Sequence, residues 1–348
     1  TWGYRPVAFV EADYSAATIA HDHEAMGLTQ DETGIEAASC PQEFAHMIHR
    51  YLDDHMSKLH HPKHILVLDA FPLTVASKVD RIALKQLYDK RIDIKRLSLY
   101  RIKQPFTVPV KTPKATITER ESFFVEVEDW AGRIGISECV SFKTNWYLPE
   151  TIEEDFRVVR DVIAPIVLGE RYIHPSQVSR SLATFADLAR YPMAKAAVEP
   201  ALWDLYGKIV GKPLSKLIGG SNQEKILGGA VIGLGTADEV CAQVDAAVQA
   251  GYTRVKLKVL ACVEAVRKAH PDLIIMLDAN QSFDESNLDI LRKLDEFDIA
   301  CIEEPYNPAF VPRNGDTNLF ARLSDLQEHI KTPVCLDESV VTAQDMEE

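Results

Sequence analysis

Hydrophobic residues in the second half of the chain fall into short solid runs separated by longer stretches with helix-like spacing. Five runs stand out: GGAVIGLG at 228–235, RVKLKV at 254–259, LIIMLDAN at 273–280, ACIEEP at 300–305 and PVCLDES at 333–339. Solid apolar runs of this length predict buried strands, and helical stretches between them predict β/α repetition with parallel strands. In the first half, PQEFAHMIHRYLDDHMSKL has helical spacing, whereas the stretch from Asp13 to Glu36 is polar and acidic. A further helix-like run, AAVEPALWDLYGK, contains Pro200, which would cost about 3 kcal/mol in a helix interior unless it sits at a kink or first turn.

The strand-like runs carry or end in charged residues. In a closed barrel of parallel strands the C-terminal strand ends meet at one mouth, so Asp278, Glu303 and Asp337 can converge although far apart in sequence. Three carboxylates make a hard oxygen site suited to Mg²⁺ or another divalent cation such as Mn²⁺. Lys256 and Lys258 lie two apart and therefore project from the same face of one strand. Two close ammonium groups disfavour each other's charge, which is expected to lower at least one lysine pKa towards a useful base. Strand alternation places Glu304 and Glu338 on the opposite face, away from this set.

Taken in order, K-x-K, D-A-N, I-E-E-P and L-D-E-S resemble the enolase superfamily, in the branch containing o-succinylbenzoate synthase and N-acylamino acid racemase. The likeness begins at IKRLSLYRIKQPF, runs through ITERESFFVEVEDWAGRIGISECVSFKTNWY and includes MAKAAVEPALWDLYGKIVGKPLSKLIGG. The resemblance implies an α+β capping domain over residues 93–220, followed by a (β/α) barrel over 221–348. It makes Asp278, Glu303 and Asp337 the metal ligands, Lys258 the acid/base lysine, Lys256 its electrostatic partner and Asn280 a polar neighbour of the metal. It also implies a small-molecule carboxylate substrate, with the proton next to the carboxylate removed and a metal-stabilised enediolate formed. Loss of a β-hydroxyl would then be dehydration, whereas proton return from a second lysine would be racemisation. Trp146 and Tyr147 are candidates to line the pocket.

Five strand candidates follow Leu227, whereas a complete barrel of this type has eight, so the barrel is expected to be incomplete and the strand bearing Asp337 to be a sheet edge. The opposing lysine is expected on a strand beyond Asp337. Two departures from the family lie beside the site: a short connection after Lys258 (VLACVEAVRKAHPD) and a long one after Glu303 (YNPAFVPRNGDTNLFARLSDLQEHIKTP).

Residues 1–92 differ in character. The run HPKHILVLDAFPLTVASKVDRIALKQLYDKR resembles the C-terminal subdomain of adenylate-forming acyl-CoA ligases. That family closes with a proline, a short turn and G-K-x-D-R; here Ser77 stands at the glycine and Lys78 at the catalytic lysine, vestigial without the large ATP-binding domain. Joined to a synthase-like segment, a ligase of the o-succinylbenzoate-CoA type suggests a fusion of consecutive steps in menaquinone biosynthesis, which favours dehydration. The expected architecture is thus α/β and α+β multidomain: a small α+β ligase-type subdomain, an α+β enolase-type capping domain and an incomplete (β/α) barrel of about five strands. The functional expectation is a carbon-oxygen lyase, with N-acylamino acid racemase or a non-catalytic fragment of a ligase–synthase fusion as alternatives.

Composition narrows the partners. A net charge of −14 argues against nucleic acid and anionic membrane surfaces. No apolar run reaches membrane-spanning length and no signal peptide is evident, so a cytoplasmic location is expected, with homo-oligomer formation left open. The six cysteines show no paired C-x-x-C spacing and read as reduced thiols. His55, His60, His61 and His64 lack the spacing of a zinc site and read as a solvated basic surface.

Overall fold

The computed structural model of the chain describes residues 7–11, 41–56, 61–62, 64–111, 116–145, 148–220, 226–258, 260–310, 318–341 and 345. They fall into two compact units, Thr1–Phe106 with Glu119–Asn222, and Thr107–Thr118 with Gln223–Glu348. The stretch from Asp13 to Glu36, and Trp146 and Tyr147, lie outside the described residues.

The first unit begins with strand β1 (Val7–Glu11) parallel to β2 (His64–Leu68), flanked by helices α1 (Pro41–His55) and α2 (Arg81–Asp89). Asp80 starts α2 by accepting the backbone N–H groups of Ile82 and Ala83, which satisfies two donors left open at any helix start. The turn before it closes through Thr74 N to Lys78 O at 2.7 Å, and Ser77 takes a left-handed φ of 55°. Left-handed geometry favours glycine, which is the residue expected at this position. Lys78 is exposed. Two of the clustered histidines are not surface groups. His61 and His64 are buried, with His61 on the Met56 carbonyl and His64 bonded to the Tyr88 hydroxyl, because the chain folds inward at the start of β2.

A four-stranded sheet follows in the order β5-β4-β3-β6, from β3 (Ile92–Lys111), β4 (Thr116–Asp129), β5 (Ile134–Cys139) and β6 (Arg171–Tyr172). Alternation along β4 puts Phe123, Val125 and Val127 in the core. Glu126 and Glu128, at the intervening positions, pair with Arg96 and Lys95. Helix α3 (Ile152–Val158) runs through a π turn into α4 (Ala164–Gly169), and α5 (Ser176–Ala183) leads to the long α6 (Pro192–Val210). This helix continues through Pro200, buries Ala194, Ala197, Val198, Ala201, Leu202 and Leu205, and lies directly on β5. Contact is so close that a Cβ on Gly135 would fall 2.0 Å from the Ala201 carbonyl oxygen, so only glycine fits there.

In the second unit all five predicted runs form strands: β7 (Ala230–Val231), β8 (Arg254–Leu257), β9 (Ile274–Asp278), β10 (Cys301–Glu303) and β11 (Val334–Cys335). They make one parallel sheet in sequence order. Helices α7 (Ala237–Gln249), α8 (Val263–Ala269), α9 (Leu288–Lys293) and α10 (Leu319–His329) provide the crossovers that parallel strands require. Val255, Leu257, Ile275, Leu277 and Ile302 from the strands pack with Val240, Val244, Val266, Leu291 and Leu326 from the helices. Among the described residues β11 pairs only with β10, as the edge position predicts. The solid apolar character of the runs follows from burial on both faces of a parallel sheet.

Candidate active site

The C-terminal ends of β8, β9 and β10 bring four charged side chains together. Register sets this up, since Lys256 pairs with Met276 and Glu303 with Asp278 across adjacent strands. Lys256 Nζ lies 2.8 Å from Glu303 Oε1 and 3.3 Å from Asp278 Oδ2, so one ammonium bridges both carboxylates. Lys258 Nζ lies 3.1 Å from Asp278 Oδ2 and donates to Asn280 Oδ1 at 2.9 Å. Asn280 in turn donates its backbone N–H to Asp278 Oδ1. Asn280 and Gln281 both hold left-handed φ values, 45° and 59°, in the turn that leaves β9. Uncommon backbone geometry of this kind is stored where surrounding contacts enforce it, often at functional sites.

Asp278 and Glu303 are buried, while the two lysines keep about a quarter of their side-chain surface in solvent. Burial works against the charge on Lys256, but Glu303 and Asp278 outweigh it and hold its pKa above the ordinary lysine value. The expectation that mutual repulsion lowers a lysine pKa therefore fails for Lys256, because its ammonium lies 2.8 Å from Glu303 and 3.3 Å from Asp278.

Asp337 is placed differently. It follows β11, is exposed, and its backbone N–H donates to Glu304 Oε1 at 2.7 Å. Among the described residues, no group of three or more His, Cys, Asp or Glu side chains is arranged to hold a metal ion. Asp278 and Glu303 thus come together and Asp337 does not join them. The donor chemistry nevertheless fits a small hard cation: two buried carboxylates flank a positive charge, here the Lys256 ammonium, and the Asn280 amide oxygen stands beside them.

The two glutamates set aside by strand alternation have their own places. Glu304 is fully buried and accepts the N–H groups of Asp337 and Ser339, the Ser339 hydroxyl and the Gln281 amide. It ties the turn after β9 to the turn after β11. These contacts hold its pKa below the usual carboxylate value, although burial alone would raise it. One Glu338 carboxylate oxygen is buried without a hydrogen-bond partner among the described residues, and burial, with Asp337, Glu304 and Asp278 nearby, raises its pKa. Strand alternation does not fix the direction of Glu338, because β11 ends at Cys335 and the chain is already turning at 337–339.

An α/β protein with lysines facing carboxylates across the ends of parallel strands matches two family profiles. The Mandelate racemase / muconate lactonizing enzyme, N-terminal domain, matches residues 96–219, and the Enolase C-terminal domain-like family matches residues 239–348. A solved probable mandelate racemase from Alicyclobacillus acidocaldarius is 31% identical with a TM-score of 0.63, covering 73% of this chain and 67% of that one. The chain therefore belongs to the enolase superfamily.

Its curated relatives include o-succinylbenzoate synthase of Bacillus subtilis (strain 168), 32% identical over 259 residues, which is 73% of this chain and 66% of that protein. N-succinylamino acid racemase of Thermus thermophilus is also 32% identical, over 61% of this chain and 56% of its own length. The chain spans just under two thirds of the curated synthases it matches.

Proposed function

We propose that this protein is a lyase of the o-succinylbenzoate synthase type, dehydrating a small carboxylate substrate by removing the proton on the carbon next to the carboxylate. The observation that carries this reading is the contact of Lys258 with Asp278 and Asn280 at the end of β8, beside the Lys256 bridge between Asp278 and Glu303. The similarity to curated synthases over 73% of the chain supports it.

In this reading Lys258, when neutral, takes the substrate proton, and the ammonium so formed is received by Asp278 and Asn280, which already bond it. The same lysine then hands the proton to the departing β-hydroxyl, so that water leaves and a carbon–carbon double bond remains. Lys256, held charged by Glu303 and Asp278, supplies fixed positive charge next to the reacting carboxylate. Asp278 and Glu303, with Asn280 alongside, are the residues we assign to Mg²⁺ or Mn²⁺; Asp337, which stands apart from them here, would have to move in to serve as the third ligand that the family resemblance implies. A divalent cation bound there would add positive charge that stabilises the substrate carboxylate as negative charge develops. Glu304 positions the turn that carries Asp337.

N-acylamino acid racemisation is the second reading, favoured by the similarity to the Thermus racemase. We also take residues 221–348 as a partial enolase-type barrel and 93–220 as its capping domain. The ligase-type subdomain over 1–92 remains part of the proposal, supported by the Asp80-capped turn that presents Lys78.

Incubating the purified protein and Mg²⁺ with the cyclohexadiene precursor of o-succinylbenzoate, and separately with an N-succinylamino acid, tests these readings. Aromatic product from the first substrate is the expected result. Racemisation alone would replace the lyase assignment, and inactivity on both in a folded protein would leave a non-catalytic role.

A further inference from the structure

Within the first unit a cavity of about 500 Å³ opens between the start of β3 and the β4–β5 turn, far in character from the strand-end cluster. Cavities of this volume suit small molecules. Arg133 and Arg171 both line it, and each guanidinium is fixed from behind through its inner nitrogen. Arg133 Nε donates to Asp129 Oδ2 at 2.7 Å, while the other oxygen of Asp129 takes the backbone N–H groups of Ala131 and Arg133. Arg171 Nε donates to Asp93 Oδ2 at 3.3 Å, the same oxygen that receives Arg91 Nη2 at 2.9 Å.

The terminal nitrogens of Arg133 and Arg171 have no hydrogen-bond partner among the described residues. Asp93 is shared between two guanidiniums, those of Arg91 and Arg171; of the other two lining carboxylates, Asp129 holds Arg133 and Asp89 pairs with Lys85. Arg91 is otherwise occupied, donating to the Tyr88 carbonyl and stacking 4.0 Å above the Tyr88 ring. Beside the two unoccupied forks stands Trp130, which also lines the cavity and is 71% exposed. A guanidinium held at Nε with its terminal N–H groups free is preorganised for two-pronged contact with carboxylate or phosphate. An adjacent exposed indole offers a flat apolar surface.

We propose that this cavity binds a small organic oxyanion, a carboxylate or phosphate monoester with a planar body, held by Arg133 and Arg171 and lying against Trp130. The inference is independent of the reaction assigned to the strand ends.

Isothermal titration calorimetry of the full chain at low salt with phthalate, phenyl phosphate and inorganic phosphate tests it. Saturable binding of at least one planar ligand is expected, tighter than inorganic phosphate, and the tighter of phthalate and phenyl phosphate identifies the oxyanion. Arg133→Gln and Arg171→Gln should each weaken it about tenfold or more. Trp130→Ala should bring the planar ligand down to the level of inorganic phosphate. Since Arg171→Gln also removes a partner of Asp93, Arg171→Lys keeps the charge, loses the fork and should weaken binding as well, with thermal melts checking the fold. No saturable binding of any ligand up to about 10 mM would overturn the proposal. So would planar-ligand binding that survives both arginine substitutions but disappears in Lys256→Ala, since the ligand would then occupy the strand-end site.

Discussion

Both units bury a pair of carboxyl groups, and they treat the charge in opposite ways. In the second unit, Asp278 and Glu303 are matched by Lys256 and Lys258, which reach Asp278 on the adjacent strand and, from Lys256, Glu303 one strand further, with part of their surface in solvent. In the first unit, Glu150 and Asp155 form no ion pair among the described residues. Glu150 accepts the backbone N–H groups of Met193 and Ala194 at the start of α6, and Asp155 takes the Ser141 hydroxyl, with Cys139 beside both. Burial raises the pKa of both carboxyls, that of Glu150 to about 7, with Asp155 adding to the effect. The pair in the second unit faces two partly exposed ammonium groups, the arrangement acid/base chemistry needs. The pair in the first unit is sealed and suited to hold a helix start against a sheet. A buried acid alone is therefore no indicator of a site; a buried acid facing a half-exposed cation is a better one.

That contrast can be broken most directly at Lys258. Lys258→Ala is expected to reduce proton abstraction by about 10²–10⁴-fold with circular dichroism unchanged, measured as substrate C–H exchange in D₂O. A loss below about tenfold would mean that the lysine cluster is only structural.

Asp278→Asn should come next in size. It leaves two ammonium groups without their shared carboxylate, and a stability loss of about 1–3 kcal/mol in urea unfolding is expected, discounted for the partial exposure of both lysines. Any thermal stabilisation by Mg²⁺ should disappear in the same variant. Retained stability together with a retained Mg²⁺ shift would remove Asp278 from the site.

Glu150→Gln probes the sealed pair. A carboxyl whose folded pKa lies above its unfolded value is favoured by folding when protonated, so its contribution is full below about pH 4.3 and is lost as pH rises through about 7. The substitution should therefore flatten stability across that window, by an amount on the order of 1–3 kcal/mol between its ends. An unchanged pH profile would show that Glu150 and Asp155 ionise freely in the fold.

The smallest effect concerns Cys139, whose thiol is pushed up to about 11 chiefly by burial. At pH 8 it should alkylate at least about tenfold more slowly than the half-buried Cys241, followed by peptide mass spectrometry. Equal rates would show that the carboxyl nest is open to solvent.

Periodicity made the second unit the more legible half. All five strand runs were readable because a parallel sheet buries both strand faces and leaves solid apolar runs, and the K-x-K, D-A-N, I-E-E-P and L-D-E-S segments marked where those strands end. The first unit was less legible, since Glu150 and Asp155 meet only after a loop, a helix and the start of α6 pack together. The histidines at 61 and 64 misled for the same reason: their spacing says nothing about the chain folding inward at β2.

Sequence alone determined the strand order of chemistry in this protein, because residue spacing of two on a strand and the ends of apolar runs are local properties. Lys256 and Lys258 on one face, and acids at the following strand ends, required no long-range information. Tertiary structure decided which acids those lysines meet, that Lys256 is held charged, and that Glu304 rather than solvent receives the Asp337 backbone. Those outcomes depend on register between strands and on turns that leave the sheet, and both are set by packing over tens of residues.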